Sequence, residues 1–468
     1  MPSPKTRLAT ALAGFCVLGS ALVLPAQRTQ ATARQTSTRP RFSIPIDYYR
    51  LANGLKVVLS RDTTSPTAFV AVCYGVGFRN EPLDRSGFSH LFEHLMFQGS
   101  RNLGRMEFMK LIQNNGGDGN ATTGYDHTDY FEVVPSNTLE MVLWAEADRM
   151  KGPVIDTARL ANQRDVVKNE LRELLNRPYH SLGLLPTLAN TKWQNARNFM
   201  NDFADLDSVS VSEAEEFFRT YYAPNNAVLV VVGDIDRTKA RGWIAKYFAG
   251  ISRGTPPPAL DLSEPPQIAE RRGSKVDSLA PRPAIAIAYH LPVRNSPEWY
   301  AFGLLDQILA QGQDSRLYDA LVRTQGLTSD ITSANTLDRI YDVNGPMLWR
   351  VSAGLSTTAS ADSFLAAFDR VLAPLRDAPV DQATIDRAVL KFRSALYHWI
   401  EDANDVGRAG LLAVFALFDD DPDRINHLEF EFAKVTPVLL QRTAQEYLAP
   451  SNRTVLTIIP GAVAPVVH

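Results

Sequence analysis

"YYAPNNAVLVVVGD" occupies residues 221–234 and "YLAPSNRTVLTIIPG" residues 447–461. Tyr221, Pro224 and Asn226 match Tyr447, Pro450 and Asn452 at a constant offset of 226. In both stretches a Pro-Asn turn leads into an apolar run that reads as a buried strand. Earlier in the chain, "FVAVCYGVG" from Phe69 corresponds to "AIAIAYHLP" from Ala284 at an offset of 215. "HLFEHLMFQG" (90–99) likewise corresponds to "GLLDQILAQG" (303–312), offset 213. Three matches in the same order indicate an internal duplication. Each copy opens on alternating apolar strands, continues through amphipathic helices and closes on the buried strand. The expected fold is α+β: two homologous tandem domains, each an antiparallel sheet with helices packed on one face.

A length of 468 residues is too great for one ordinary core. The clearest break is "SRGTPPPALDLSEPPQ" (252–267), whose five prolines suit an extended linker. The expected domains are 42–250, carrying the chemistry described below, and 269–464, joined by a linker over 251–268. Hydrophobic content of 45% with 21% charged residues describes a folded chain, not a disordered one. A net charge of −3 gives no reason to expect nucleic acid or an anionic membrane as partner.

At the N-terminus, Lys5 and Arg7 precede the apolar run "LATALAGFCVLGSALVLPA", with small-residue sites at "LPA" and "ATA". Residues 1–33 therefore read as a signal peptide, an uncleaved anchor being the alternative. No later stretch is apolar enough to span a membrane, so an exported protein without an integral span is expected, periplasmic if the source is a Gram-negative bacterium. Removal of 1–33 takes away three cations and leaves the mature chain at −6. Cys73 then stands alone, which excludes an internal disulfide, and it reads as a packed core thiol.

On a helix, His90, Glu93 and His94 share one face, while Leu91, Phe92, Leu95 and Met96 cover the rest. An element apolar nearly all round is buried, and an unpaired buried carboxylate costs several kcal/mol, on the order of a domain's whole stability. A divalent cation shared by the two imidazoles and lying beside the glutamate makes that burial tolerable. With eight histidines, H-x-x-E-H arises by chance in on the order of one such sequence in a hundred. A catalytic zinc needs a third protein ligand and an open position. Glu170 in "RDVVKNELRELL" (164–175), sharing a face with Val166, Val167 and Leu174, is the candidate; Glu173, one turn on, is a candidate supporting group or rival ligand. Ligand type alone does not separate zinc from cobalt or manganese.

H-x-x-E-H reverses the commoner H-E-x-x-H, as in inverzincins. Together with "YRLANGLKVVLSRD", "GVGFRNEPLDRSGFSHLFEHLMFQGS", "NNGGDGNATTGYDHTDYFEVV", "VVKNELRELL" and "FFRTYYAPNNAVLVVVGDID", it makes the mature chain resemble the pitrilysin/insulysin zinc peptidases, which include the mitochondrial processing peptidases. The resemblance implies Zn2+ held by His90, His94 and Glu170, with Glu93 as general base. It also implies that Asn120 and Ala121 contact the substrate backbone. Gln163 departs from the family, where a glutamate is frequent. The glycines before "TDYFEVV" suggest a turn entering an edge strand on which an extended peptide could pair. His127 reads as a structural or surface residue rather than a fourth ligand.

Opposite the three metal-helix residues stand Gly303, Asp306 and Gln307, so the second copy has no metal pair. By the same resemblance, many active relatives carry an Arg and a Tyr seven residues apart in this half. Val322 and Ser329 stand there instead, although Arg323 is adjacent. The expectation is an exported zinc endopeptidase acting on short or unfolded peptides and completed by a homologous metal-free subunit that supplies the Arg/Tyr pair. The alternatives are a catalytically silent scaffold subunit of the same fold and a processing peptidase dedicated to one exported precursor.

Overall fold

The computed structural model describes residues 43–197, 203–334, 341–401 and 407–461. The expected signal peptide 1–33 lies outside the described residues. The first sheet contains β1 (Asp47–Arg50), β2 (Lys56–Arg61), β3 (Thr67–Tyr74), β4 (Asp118–Thr123), β5 (Thr128–Pro135) and β6 (Ala227–Gly233), in the order β1-β2-β6-β3-β5-β4. The second contains β7 (Arg271–Asp277), β8 (Ala284–His290), β9 (Thr332–Ala334), β10 (Leu348–Gly354) and β11 (Arg453–Pro460), in the order β7-β11-β8-β10-β9. Without β1 the two orders are the same. Both sheets are antiparallel apart from one pair each, β2 with β6 and β7 with β11, which run parallel.

The duplication extends to register. Phe69 pairs with Val232 and Ala284 with Ile458, so the offsets of 215 and 226 belong to one superposition. The repeated asparagine has the same task in both copies. Asn226 Nδ2 donates to Tyr221 O at 2.8 Å and Gly75 O at 3.1 Å, tying a helix end to the end of β3. Asn452 Nδ2 donates to Tyr447 O at 2.7 Å and His290 O at 3.2 Å. Turn and strand recur together because the side-chain amide satisfies carbonyls that the helix and strand ends leave open.

Between the sheets, 252–269 carries no helix or strand. In the first half, four helices matter to the site: α1 (Phe88–Leu95), α2 (Glu107–Asn114), α3 (Leu139–Lys151) and α4 (Thr157–Leu175). Strand alternation divides β3 between two cores. Val70, Val72 and Tyr74 pack with Leu91 and Phe92 of α1. Ala71 and Cys73 face the other way, into a core shared with second-half residues such as Trp299 and Phe415. Helix Gly407–Val414 of the second half packs on that face of β3 and β6, so both faces of the first sheet are covered. Among the described residues no helix is long and apolar enough to cross a membrane.

One local expectation is corrected. "TDYFEVV" is the body of β5, an interior strand paired on both sides, and the edge strand is the preceding glycine-rich "DGNATT" of β4. Glycine disfavours strands in general, yet Gly119 is needed here: a Cβ on it would lie 2.9 Å from Phe131 O.

Candidate metal centre

α1 begins at Gly87, whose φ of 89° lies in the left-handed region that glycine tolerates. The Glu81 carboxylate, itself buried, accepts the Gly87 N–H at 3.0 Å and the Ser89 N–H at 2.9 Å. A carboxylate at a helix N-terminus satisfies donors the helix leaves open and suits its dipole. Burial pushes the Glu81 pKa up to about 7 against the pull of those two N–H groups. The helix is thereby pinned at the turn that carries His90.

His90 Nε2 and His94 Nε2 stand 3.3 Å apart. Glu170 Oε2, from α4, lies 3.3 Å from the first and 3.4 Å from the second. Three corners of a tetrahedron with centre-to-corner distances of roughly 2.0–2.1 Å are separated by about 3.3–3.4 Å, so the triangle suits a zinc-sized ion. The two imidazoles are one-fifth exposed and the Glu170 carboxylate about half exposed. α4 does not bury this carboxylate on an apolar stripe as the spacing suggests: Val167 is buried, but Val166 and Leu174 are only partly so. The open side of the triangle therefore faces solvent, as a site that admits substrate requires.

The protein's own charges favour a cation here. Hydrogen bonding from His90 holds Glu170 below the ordinary carboxylate range. Burial alone would lower the His90 pKa, but Glu170 and the charges of Glu93 and Glu81 carry it upward. Burial, then the neighbouring His90, depresses His94. Gln163, which stands where the resemblance leads one to expect a glutamate, is buried, and its Nε2 donates to Asn162 Oδ1 at 2.8 Å.

Glu93 stays out of the triangle. Its Oε2 accepts the Thr123 hydroxyl at 2.6 Å, and burial raises its pKa. Glu173 is exposed and one turn away from Glu170. Asn120 and Ala121 sit on edge strand β4, opposite Phe131 and Tyr130. Their side chains leave opposite faces, Ala121 buried toward the α1 core and Asn120 exposed. β4 packs beside α1, so its unpaired backbone edge runs along the site. His127 lies on the other sheet face with Cys73, away from the triangle. The roles of Thr123 and Glu81 are not legible along the chain. Local spacing does not reach across a sheet, and only the position of Glu81 just ahead of the helix start hints at a cap.

In the second copy, Asp306 takes the place of Glu93 and is buried, with Oδ1 accepting the Trp349 indole N–H at 2.7 Å and Oδ2 accepting Gln311 Nε2 at 2.9 Å. That carboxylate is satisfied within its own core. Val322 lies in the helical turn Tyr318–Thr324, and Ser329 lines a cavity with Tyr179 and Arg282.

A family model described as insulinase (peptidase family M16) matches residues 56–201, and one described as the peptidase M16 inactive domain matches 208–392, so that together they take in well over half of the chain. Zinc protease PqqE of Helicobacter pylori is 26% identical over 420 residues, covering 88% of this chain and 92% of that protein. Mitochondrial-processing peptidase subunit beta of Saccharomyces cerevisiae is 22% identical over 255 residues, 54% of this chain and 55% of that one. The crystal structure of a protease from Helicobacter pylori is similar at a TM-score of 0.82 and 25% identity, covering 89% of this chain and 100% of that chain. The periplasmic protease PqqL of Escherichia coli, of which this chain spans about half the length, has the same fold at a TM-score of 0.72 and 17% identity. The "inactive" model falls on the half where Gly303, Asp306 and Gln307 replace the histidine pair and glutamate, and with the PqqE likeness this establishes that the chain belongs to the insulinase family, peptidase family M16, with zinc proteases among its relatives.

Proposed function

We propose that the chain is an exported zinc endopeptidase that hydrolyses short or unfolded peptides, released from a signal segment over 1–33. His90, His94 and Glu170 hold the metal. The single observation that carries this reading is the triangle of Nε2, Nε2 and Oε2 at 3.3–3.4 Å, with Glu93 beside it and outside it. Zinc at such a site lowers the pKa of water toward about 7 and polarises the scissile carbonyl. Glu93 is the general base: it takes a proton from the attacking water and hands it to the leaving amine. Thr123 holds the carboxylate oxygen that is not meant to move. The free edge of β4, at Asn120 and Ala121, offers main-chain hydrogen bonds to an extended peptide.

Val322 and Ser329, where active relatives carry Arg and Tyr, support a further element of the proposal: a homologous metal-free subunit completes the site. Purified alone and monodisperse, the chain is expected to cleave peptides poorly; full activity of such a preparation would remove the partner from the proposal. The same two residues favour one other reading, a catalytically silent scaffold. Zinc stoichiometry with a peptide assay decides between them. Glu93→Gln should retain zinc and lose about 10²–10⁴ in rate, the usual worth of a positioned base. Loss of zinc from that variant would make Glu93 a ligand and overturn its assigned role.

A further inference from the structure

We propose a second metal site, for a divalent cation of the zinc type, at Cys73, His127 and Asp129 on the face of the first sheet turned away from α1. Register brings these residues together. Cys73 lies directly opposite Asp129 in the antiparallel β3/β5 pair, and His127, just ahead of β5, turns its ring to Asp129 and to Phe418 on the same side. One ligand atom from each lies within 4.8 Å of the other two. His127 Nε2 is 3.1 Å from Asp129 Oδ2. All three residues are buried, with exposures of 0% for Cys73 and 6% for each of the others.

The cluster satisfies itself only in part, through the contact between His127 Nε2 and Asp129 Oδ2. Asp129 Oδ1 and His127 Nδ1 are buried with no hydrogen-bond partner, and a buried polar atom left so costs about 1–3 kcal/mol. Imidazole, carboxylate and thiolate form a donor set that zinc accepts, the thiolate setting it apart from magnesium or calcium sites. Charge balances as well: a dication with one thiolate and one carboxylate is neutral, which a buried site demands. Binding releases two protons to solvent, one from the Cys73 thiol and one from the His127 imidazolium. That imidazolium is what the metal-free cluster holds: burial opposes it, but Asp129, with Asp342 and Asp126, pushes the His127 pKa up to about 9. Burial raises the Cys73 pKa far above its ordinary value, and Asp129 and Asp342 add to this while Lys56 opposes, so only a metal would bring out the thiolate.

The site lies at the seam between the two halves. Phe418, from the second half, packs edge-on against His127 with ring centroids 5.8 Å apart, and the Asp342 charge also comes from that half. An ion here would brace the first sheet where helix Gly407–Val414 crosses it.

The test uses the full chain, stripped of metal and reloaded with Zn2+ or Co2+. Wild type is expected to bind two ions, and the cobalt form to show a near-ultraviolet thiolate-to-cobalt charge-transfer band. The first site has no sulfur ligand, and loss of the band in Cys73→Ser separates the second site from Cys16, the chain's other thiol. The double variant His90→Ala/His94→Ala should keep one ion and the band, whereas Cys73→Ser should lose one ion and the band. A double variant that binds no metal, or cobalt-loaded wild type without the band, overturns the proposal, and neither result depends on a substitution in the core.

Discussion

Thr123→Val removes one hydroxyl and preserves shape. That hydroxyl donates to Glu93 Oε2 at 2.6 Å, and Thr123 is itself buried, so no bulk water is positioned to replace it. A hydrogen bond to an ionised group is worth about 1.5–3 kcal/mol. At about 1.4 kcal/mol per factor of ten, kcat/KM is expected to fall roughly 10- to 150-fold. Zinc content should not change, because the Thr123 hydroxyl bonds Glu93 and not His90, His94 or Glu170. The assay is peptide cleavage at saturating zinc, with metal content measured on the same samples. Thr123→Ser restores the donor and should recover most of the rate, which a merely steric role for the threonine would not require. An undiminished kcat/KM in the valine variant, or a serine variant as slow as the valine one, would refute the idea that this bond positions the base.

Two further outcomes follow from buried charge elsewhere in the first half. Arg149 is fully buried, bonded to Glu146 and 3.1 Å from Glu132, with its guanidinium 4.1 Å from the Phe108 ring centre. Arg149→Met strands two carboxylates and should cost about 3–5 kcal/mol, read as a shift in denaturant midpoint; a midpoint within error of wild type would contradict the burial argument. For His127 the folded pKa of about 9 lies above the ordinary 6.5. Its contribution, about 3 kcal/mol in metal-free protein, is therefore complete below about pH 6.5 and lost as pH rises through about 9. The stability difference between wild type and His127→Gln, followed across that window, should shrink as pH rises; a constant difference would mean that the imidazolium is not what the fold stabilises.

Local periodicity makes much of this protein legible in its amino-acid sequence. Spacing of four residues on a helix puts His90 and His94 on one face whatever surrounds them, so half of the candidate metal centre is determined within a single turn. Repeated Pro-Asn turns before buried strands disclose the duplication, because the asparagine's two hydrogen bonds are demanded by the local chain geometry of each copy. Helix-face spacing with Val166, Val167 and Leu174 singles out Glu170 and the resemblance agrees, but the half-exposed position of its carboxylate corrects the buried stripe that those neighbours imply.

Cross-strand register and the packing of helices on sheets are decided only in three dimensions. Gly119 hides the edge strand, since its low strand propensity masks a close approach to Phe131 that only a bare Cα allows. Thr123 reaches Glu93 because β4 lies beside α1, and Glu81 reaches the start of α1 through a turn of non-repeating geometry. Cys73 meets Asp129 across a strand pair whose partners stand 56 positions apart. No interval along the chain encodes such meetings: they depend on which strands pair and in what register, and that is settled by burying both cores at once.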